Sequence, residues 1–598
     1  MPGLPMRRFL VSSSIRIGAG RSRRACLLGS TLVILSAASS VEAAPFRFET
    51  VVNNADLIPG TSSLFNAYNP PSINGSGLVV FRARGRGGSG GQPPTGIFTR
   101  DLLDSASPRP IFVIAPRGGF VPAPSNTGAT FTEFPSFPRI DLNASTTVAF
   151  RGQSNPVWQS PDGSLGTSGI YSNPQGSLIT GASQLGALAT FNDFSVPSSA
   201  GPTGLKFDQF PGAPSVTDNT VVFKGNWTDA QGVGRTGVYF RHLVAEGGVA
   251  PVRFIADSTT PIPGDAQNRN FGSTAPPSSA LNKAVFLGVD NEDAPSVGGI
   301  YLSSLLGNPT TLTSLVSIGG RTDLTDAGGL TNIGEVLSFN GRSVAYWGAW
   351  GSETITQQVS CAGSGNEARL QYCQEQSAKP ETGGVGNGNF QFEIPRHQGI
   401  FVTDIASNLT RLIASTGEQF SSFLSWNFSG RPPGVGEGGD EEGDQELARW
   451  RSSAFLALDE DSLAFKGVDL GTVDGMDEVF KEMMSGLYSA DADGTPDIRT
   501  IVETGMDGGV IDPEAAGIPI VAVGIERDGY RNGRIAFAAS MALEGETDAD
   551  SLSWAGVFVA GESSTGPVSQ VPAPLPLLGV GSAFAVARRI RRRIRLSS

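Results

Sequence analysis

The sequence predicts an all-β fold, a seven-bladed β-propeller built from seven tandem repeats and closed by its N-terminal strand. Three observations carry this. A strand-like block ending in an aromatic residue recurs seven times. A short Gly-Ile/Val-aromatic triplet follows the blocks. The strand missing from the last repeat is found near the start of the chain. A β-solenoid or serial sandwiches would use the same strands, so those architectures stay open.

The blocks read PSINGSGLVVF ending at Phe81, PRIDLNASTTVAF at Phe150, PSVTDNTVVF at Phe223 and PSSALNKAVF at Phe286. They continue as LSFNGRSVAY at Tyr346, ALDEDSLAF at Phe465 and ERDGYRNGRIAF at Phe537. Each sets a polar turn, such as Asn74-Gly75 or Asp218-Asn219, before a β-branched and aromatic run. That order fits a tight reversal into a strand. The second anchor begins at Gly96, Gly169, Gly237, Gly299, Gly399 and Gly556, and in copy six we place it at Glu478-Val479-Phe480. A third β-rich stretch follows in copies one to six, at 111–115, 177–180, 253–257, 314–318, 411–415 and 499–503. Copy seven lacks it, and FETVVNNADLIPG at 48–60 resembles the third stretches elsewhere. A ring needs that piece, because an open stack leaves unpaired strand edges. With 78 glycines and 40 prolines in 598 residues, no long amphipathic helix interrupts the pattern.

The repeats place the main domain at 44–560, preceded by a leader (1–43) and followed by a linker (561–571) and a tail (572–598). In the leader, Arg23 and Arg24 precede an apolar stretch that ends in Val41-Glu42-Ala43. This is the grammar of a secretory signal peptide cut after Ala43, with an N-terminal membrane anchor as the other reading. The tail joins Val571, Pro572, Ala573 and Pro574 to a 13-residue apolar run, Leu575–Ala587. Arg588, Arg589, Arg591, Arg592, Arg593 and Arg595 follow. As a helix the run would reach roughly 20 Å against a hydrocarbon core of roughly 30 Å.

This tail resembles the PEP-CTERM sorting signal, with Ala573 where that family has a central Glu. The resemblance covers only Val571–Ser598. It implies a transient inner-membrane intermediate, an exosortase-type enzyme as processing partner, and release or attachment at the cell surface or in the extracellular matrix. A plain C-terminal anchor with positive-inside arginines would use the same residues. The repeat itself resembles the tandem NxxGxxAVxF-type repeats of exported bacterial proteins, nearest at Asn74-Gly75 through Phe81. That likeness adds architecture and no activity.

Removing the twelve arginines of the two ends and Glu42 leaves 31 basic and 55 acidic residues, a net charge near −24. Such a surface excludes nucleic acid as a partner, since phosphate binding needs a basic face. Two insertions stand out. One, near 352–396 in copy five, holds Cys361 and Cys373, the only cysteines beyond the leader. In an exported chain they read as a disulfide. The other, GVGEGGDEEGDQE at 434–446, reads as a flexible acidic loop. Asp491, Asp493 and Asp497 surround a Gly turn with oxygen ligands two apart, a spacing that suits Ca²⁺ as well as a solvated turn.

Catalytic motifs are absent from the sequence. Its two histidines, His242 and His397, stand far apart, and there is no zinc-protease helix or P-loop. The sequence therefore predicts an exported, non-enzymatic propeller without a cofactor, binding surface polysaccharide or protein or serving as a structural component. A secreted glycan hydrolase or lyase using loop carboxylates is the alternative. Acidic residues and Tyr or Trp gathered at one mouth of the ring would favour that alternative.

Overall fold

Each aromatic that ends a repeated block stands directly across from an aromatic on the next strand. The pairs are Phe81–Phe98, Phe150–Tyr171, Phe223–Tyr239, Phe286–Tyr301, Tyr346–Phe401, Phe465–Tyr488 and Phe537–Phe558. The computed structural model describes residues 46–562 apart from 87–92, 124–127, 144, 156–158, 161–162, 165–167, 185–193, 199–200, 245–249, 308–310, 321–327, 364–366, 418, 432–445, 496 and 544–552.

The pairs sit in antiparallel meanders, whose strands we letter A to D from the axis outward. In blade 1, A is split into Phe65–Tyr68 and Ser72–Ile73, B is Leu78–Gly85, C is Thr95–Asp101 and D is Ile111–Pro116. Seven such meanders follow one another, and those of blades 5 and 6 merge into one ten-stranded sheet. The inner pieces form a closed ring. Ser72–Ile73 neighbours Arg139–Ile140, and the contact passes through Ser215–Thr217, Ser278–Ala280, Ser338–Phe339, Leu456–Leu458 and Tyr530–Arg531 back to the first. Phe46–Asn53 pairs antiparallel with Ser553–Glu562, so the N-terminal strand supplies strand D of blade 7, as expected.

Two-residue periodicity explains why the blocks read VVF rather than alternating apolar and polar. Successive side chains of strand B point to opposite faces, and both faces are buried. Val79 enters the core shared with blade 7, while Val80 enters the core shared with blade 2. Val221 and Val222 divide in the same way between blades 2 and 4. The seven interblade cores so formed close on themselves. In every blade a third aromatic edges onto the pair, Phe65, Phe131, Phe207, Phe271, Trp350, Phe420 and Phe48 in blade order. At Gly225 a Cβ would lie 2.5 Å from the Phe207 ring, so only glycine lets that ring approach strand B.

Copy six corrects the sequence reading. Phe465 pairs with Tyr488, so the second anchor is Gly486-Leu487-Tyr488. Glu478-Val479-Phe480 belongs to an extension of the B–C hairpin, where Val479 and Phe480 pair in parallel with Thr356 and Gln357 of blade 5. The longer hairpin moved the true anchor outside the spacing seen in the other copies.

The axis is filled by charge. Arg139 is bonded to Glu526 and lies 3.5 Å from Asp528, and all three side chains are at most 4% exposed. Arg527 donates to the carbonyls of Ala213 at 3.0 Å and of Pro214 and Pro276 at 3.4 Å. Its own carbonyl accepts from the Ser338 hydroxyl, which in turn accepts from Leu458 N–H. The Asp528 carbonyl accepts from Ile73 N–H. The triplet Glu526-Arg527-Asp528 thus reaches from blade 7 to all the other blades. Burial, with Arg139 nearby, pushes the Arg527 guanidinium down to about 9, and Asp528 and Glu526 oppose that shift. Two cations face two carboxylates, so the buried set is neutral as a whole.

Candidate functional site

The D–A and B–C connections share one face of the ring, here the front. On it, blade 5 extends strands B and C into Ser343–Ser360 and Asn389–Asp404. Between them lies the helix Glu367–Ser377. Cys361 and Cys373 are disulfide-bonded, as read from sequence, and tie that helix to the end of strand B. Tyr372, Phe390 and Phe428 bury a separate small core there, with Trp426 and Trp450 packed on it. A second hairpin, Leu424–Arg431 with Glu446–Ala454, docks against the helix, and Arg369 donates to the Phe428 carbonyl.

That hairpin overhangs a cleft of about 300 Å³ between blades 4 and 5. Three carboxylates and two indoles line it: Glu292, Glu335, Glu393, Trp347 and Trp426. Glu292 sits in the B–C turn of blade 4, where the Asn291 side chain caps the backbone of Asp293 and Ala294. Its carboxylate accepts from the Ser273 hydroxyl at 3.1 Å and faces Arg449 of the overhanging hairpin at 3.4 Å. Glu335 occupies the break in strand A of blade 5, between Leu330–Ile333 and Ser338–Phe339. Glu393, on the extended strand C, accepts from the Thr356 hydroxyl at 2.6 Å.

Both indoles are fixed by their N–H groups. Trp347 donates to Gln398 at 3.2 Å, and Trp426 to Gln357 at 3.0 Å. Trp426 also stacks on Phe392, with centroids 4.8 Å apart and planes at 18°. Preset aromatic faces cost little further ordering when a ligand lies on them.

Electrostatics hold two of the three carboxyls low. Burial alone would raise the Glu292 carboxyl. The Ser273 hydroxyl and the positive charges of Lys224 and Arg449 outweigh it and hold the group below the usual carboxylate range. The Thr356 and Thr354 hydroxyls hold Glu393 low as well. Lys224, on strand B of blade 3, is pushed down by burial and back up by Glu335 and Glu292. The cleft can therefore accept hydrogen bonds from a hydroxyl-rich ligand and stack an apolar ring face.

Other candidates from the sequence fall elsewhere. Asp491 pairs with Arg499 at 3.2 Å, Asp493 accepts from Thr495 N–H, and Asp497 N–H donates to the Thr495 carbonyl. Among the described residues no three His, Cys, Asp or Glu side chains are gathered to hold a metal ion, so the structure does not assemble the calcium set Asp491, Asp493 and Asp497. His242 hydrogen-bonds Thr220 at 2.8 Å. His397, on a different blade, stacks on Trp350 with centroids 6.1 Å apart. The segment 1–43 read as a signal peptide, the residues Val571–Pro574 read as a sorting motif, the arginine cluster and nearly all of the acidic run 434–446 lie outside the described residues. No helix among the described residues is long and apolar enough to cross a membrane.

Sequence reasoning singled out the insertion near 352–396, which carries Glu393, but named none of the cleft residues individually. They come from blade 4, from the break and extensions of blade 5, and from a hairpin between blades 5 and 6. The available signal was that the two largest insertions flank the same blade, which puts both on one face.

No protein-family model and no curated protein sequence matches the chain. Among solved structures it is similar to the β-propeller domain of the Trilobed protease from Pyrococcus furiosus, at 12% identity over 60% of this chain and 85% of that one, with a TM-score of 0.23. It is similar to a puromycin-hydrolyzing peptidase of Mycobacterium tuberculosis at 9% identity, covering 80% of this chain and 60% of that one, with a TM-score of 0.31. A subtype N11 neuraminidase-like protein of A/flat-faced bat/Peru/033/2010 (H18N11) gives 9% identity, 83% and 99% coverage, and a TM-score of 0.28. Likenesses this distant carry no chemistry across; the propeller rests on the chain's own ring of sheets.

Proposed function

We propose that the protein is an exported propeller that binds a saccharide in the front-face cleft without cleaving it. The observation that carries this reading is the pairing of two fixed indoles with three carboxylates in one cleft. Sugars present an apolar C–H face to an aromatic ring and hydroxyl donors to carboxylates, and concave sites with a few placed polar groups suit small ligands. Acidic and aromatic residues at one mouth were the feature expected of a hydrolase. Two of the three carboxyls favour binding. Glycosidic cleavage needs one carboxyl pushed up as general acid, and Glu292 and Glu393 are held low instead.

The disulfide Cys361–Cys373 supports an oxidising compartment. With it, we retain the sequence reading of export and exosortase-type sorting through Val571–Pro574 and the arginine tail, to the cell surface or extracellular matrix.

Affinity electrophoresis of the mature domain through gels containing neutral polysaccharides tests the binding reading. Retardation by at least one polysaccharide, lost in Trp426→Ala by about tenfold in affinity, is the expected result. Equal mobility in every gel would overturn it. Release of new reducing ends would establish the hydrolase instead.

A further inference from the structure

We infer that the cleft selects a saccharide carrying a free amine, a glucosamine-type oligomer, and that Glu335 reads the ammonium. The inference rests on the proposed saccharide cleft and goes one step further, to the charge of the ligand. The three carboxylates of the wall are not equivalent. Glu292 is bonded to Ser273 and paired with Arg449, and Glu393 is bonded to Thr356. Glu335 makes no hydrogen bond or salt bridge among the described residues, yet it is exposed and lines the cleft between the two indoles' strands and blade 4.

No lysine or arginine side chain lines the cleft. Lys224, the cation that feels Glu335, is largely buried on blade 3, outside the lining of the cleft, and makes no salt bridge to Glu335. Arg449 is taken by Glu292. The open acceptor is therefore an anion with no cation of its own in the wall. An ionised carboxylate accepts hydrogen bonds and donates none. A ligand that satisfies it best brings N⁺–H, since charge-assisted hydrogen bonds are about twice as strong as neutral ones. Uronate, sulfate or sialate groups would meet three like charges in the same space. Trp426 supplies a face for the ring carbons and for cation–π contact with the ammonium, while Trp347 lines the cleft largely buried.

Isothermal titration of the disulfide-intact domain with three probes tests this: a glucosamine tetramer, its fully N-acetylated neutral counterpart, and an oligogalacturonate. The expected order is amine over neutral by about tenfold at a pH where the amine is charged, with the anionic probe weakest. That advantage disappears at a pH where the amine is neutral. Glu335→Gln brings the amine-to-neutral ratio close to one. Glu460→Gln, which removes the same charge from the opposite face, leaves the ratio intact. An unchanged ratio in Glu335→Gln, or an equal loss in Glu460→Gln, would overturn the inference. Trp426→Ala separates the two levels. If it abolishes binding while charge does not discriminate, only the amine selectivity fails. If it leaves the binding of all probes unchanged, the cleft reading fails with it.

Discussion

The axis and the front-face attachment are built on opposite principles. At the axis, each blade's A–B turn latches onto another. Gly75 N–H donates to the Leu142 carbonyl, Asp218 N–H to the Asp141 carboxylate, and the Asn340 amide to the Asp459 carbonyl. Gly533 N–H reaches Asp459, and the Asn532 amide returns to the Gly75 carbonyl. The turn residues serve twice. Asp218, Asn219 and Asn532 take the positive φ of the reversal, and their side chains or amides hold a neighbouring blade. The attachment on blades 5 and 6 appears once. It carries its own helix, its own aromatic core and the disulfide. A ring position is constrained by all seven blades, whereas an attachment needs only its own small core, and that freedom lets it shape a cleft.

The sharpest way to break this contrast is at the axis. Arg527→Ala leaves Glu526 and Asp528 facing Arg139 alone, with one buried negative charge uncompensated. It also strips the carbonyls of Ala213, Pro214 and Pro276 of their donor. Removing one partner of a buried ionic set costs about 3–5 kcal/mol. Urea unfolding followed by tryptophan fluorescence should show one cooperative transition moved to much lower denaturant. An unmoved midpoint would mean that the axial charges contribute nothing to ring closure.

The next effect is smaller and local. Cys361→Ser with Cys373→Ser removes a crosslink worth about 3 kcal/mol in the chain-entropy account. Hydrogen exchange should accelerate across Glu367–Ser377 and the Leu424–Ala454 hairpin, while Leu78–Gly85 and the other B strands keep their protection. A drop in the global transition as large as that of Arg527→Ala would show that the attachment is part of the ring and not an addition to it.

What the sequence revealed follows the same division. The seven blocks, the triplets, the closure by Phe46–Asn53 and the cysteine pair were all legible, because ring symmetry repeats them or because few cysteines remain to pair. Copy six was misread where its hairpin outgrew the spacing, so Phe480 stood in for Tyr488. The A strands were harder to see, since each is cut into pieces as short as two residues. The charged plug was hidden in plain view. Glu526-Arg527-Asp528 reads as a polar turn, and only closure of the ring brings Arg139 onto it from 387 residues away. The cleft was illegible for the same reason. Ser273, Glu335 and Trp426 share no spacing, and an unrepeated hairpin brings the last of them over the first two.

Blade 4 offers a control with the chemistry of the axis and a more exposed arginine. Arg269 pairs with Asp265 at 3.0 Å and with Asp290 at 3.1 Å, and its side chain is 36% exposed. Hydrogen bonds from the Arg269 side chain and backbone hold the Asp265 carboxyl far below the usual range. A depressed carboxyl contributes stability that is present in full above the unfolded value, near 3.9, and is lost as pH falls through the lower folded value. Nothing should change between pH 7 and about pH 5. Below about pH 4, wild type should lose stability more steeply than Arg269→Ala, whose Asp265 has already lost its partner. Exposure and screening keep the difference small, about 1 °C in Tm at neutral pH and less in high salt. Scanning calorimetry at stepped pH measures it. Were Arg269→Ala to cost as much as Arg527→Ala, burial would not be what separates the two arginines, and the axis would owe its strength to ion pairing alone.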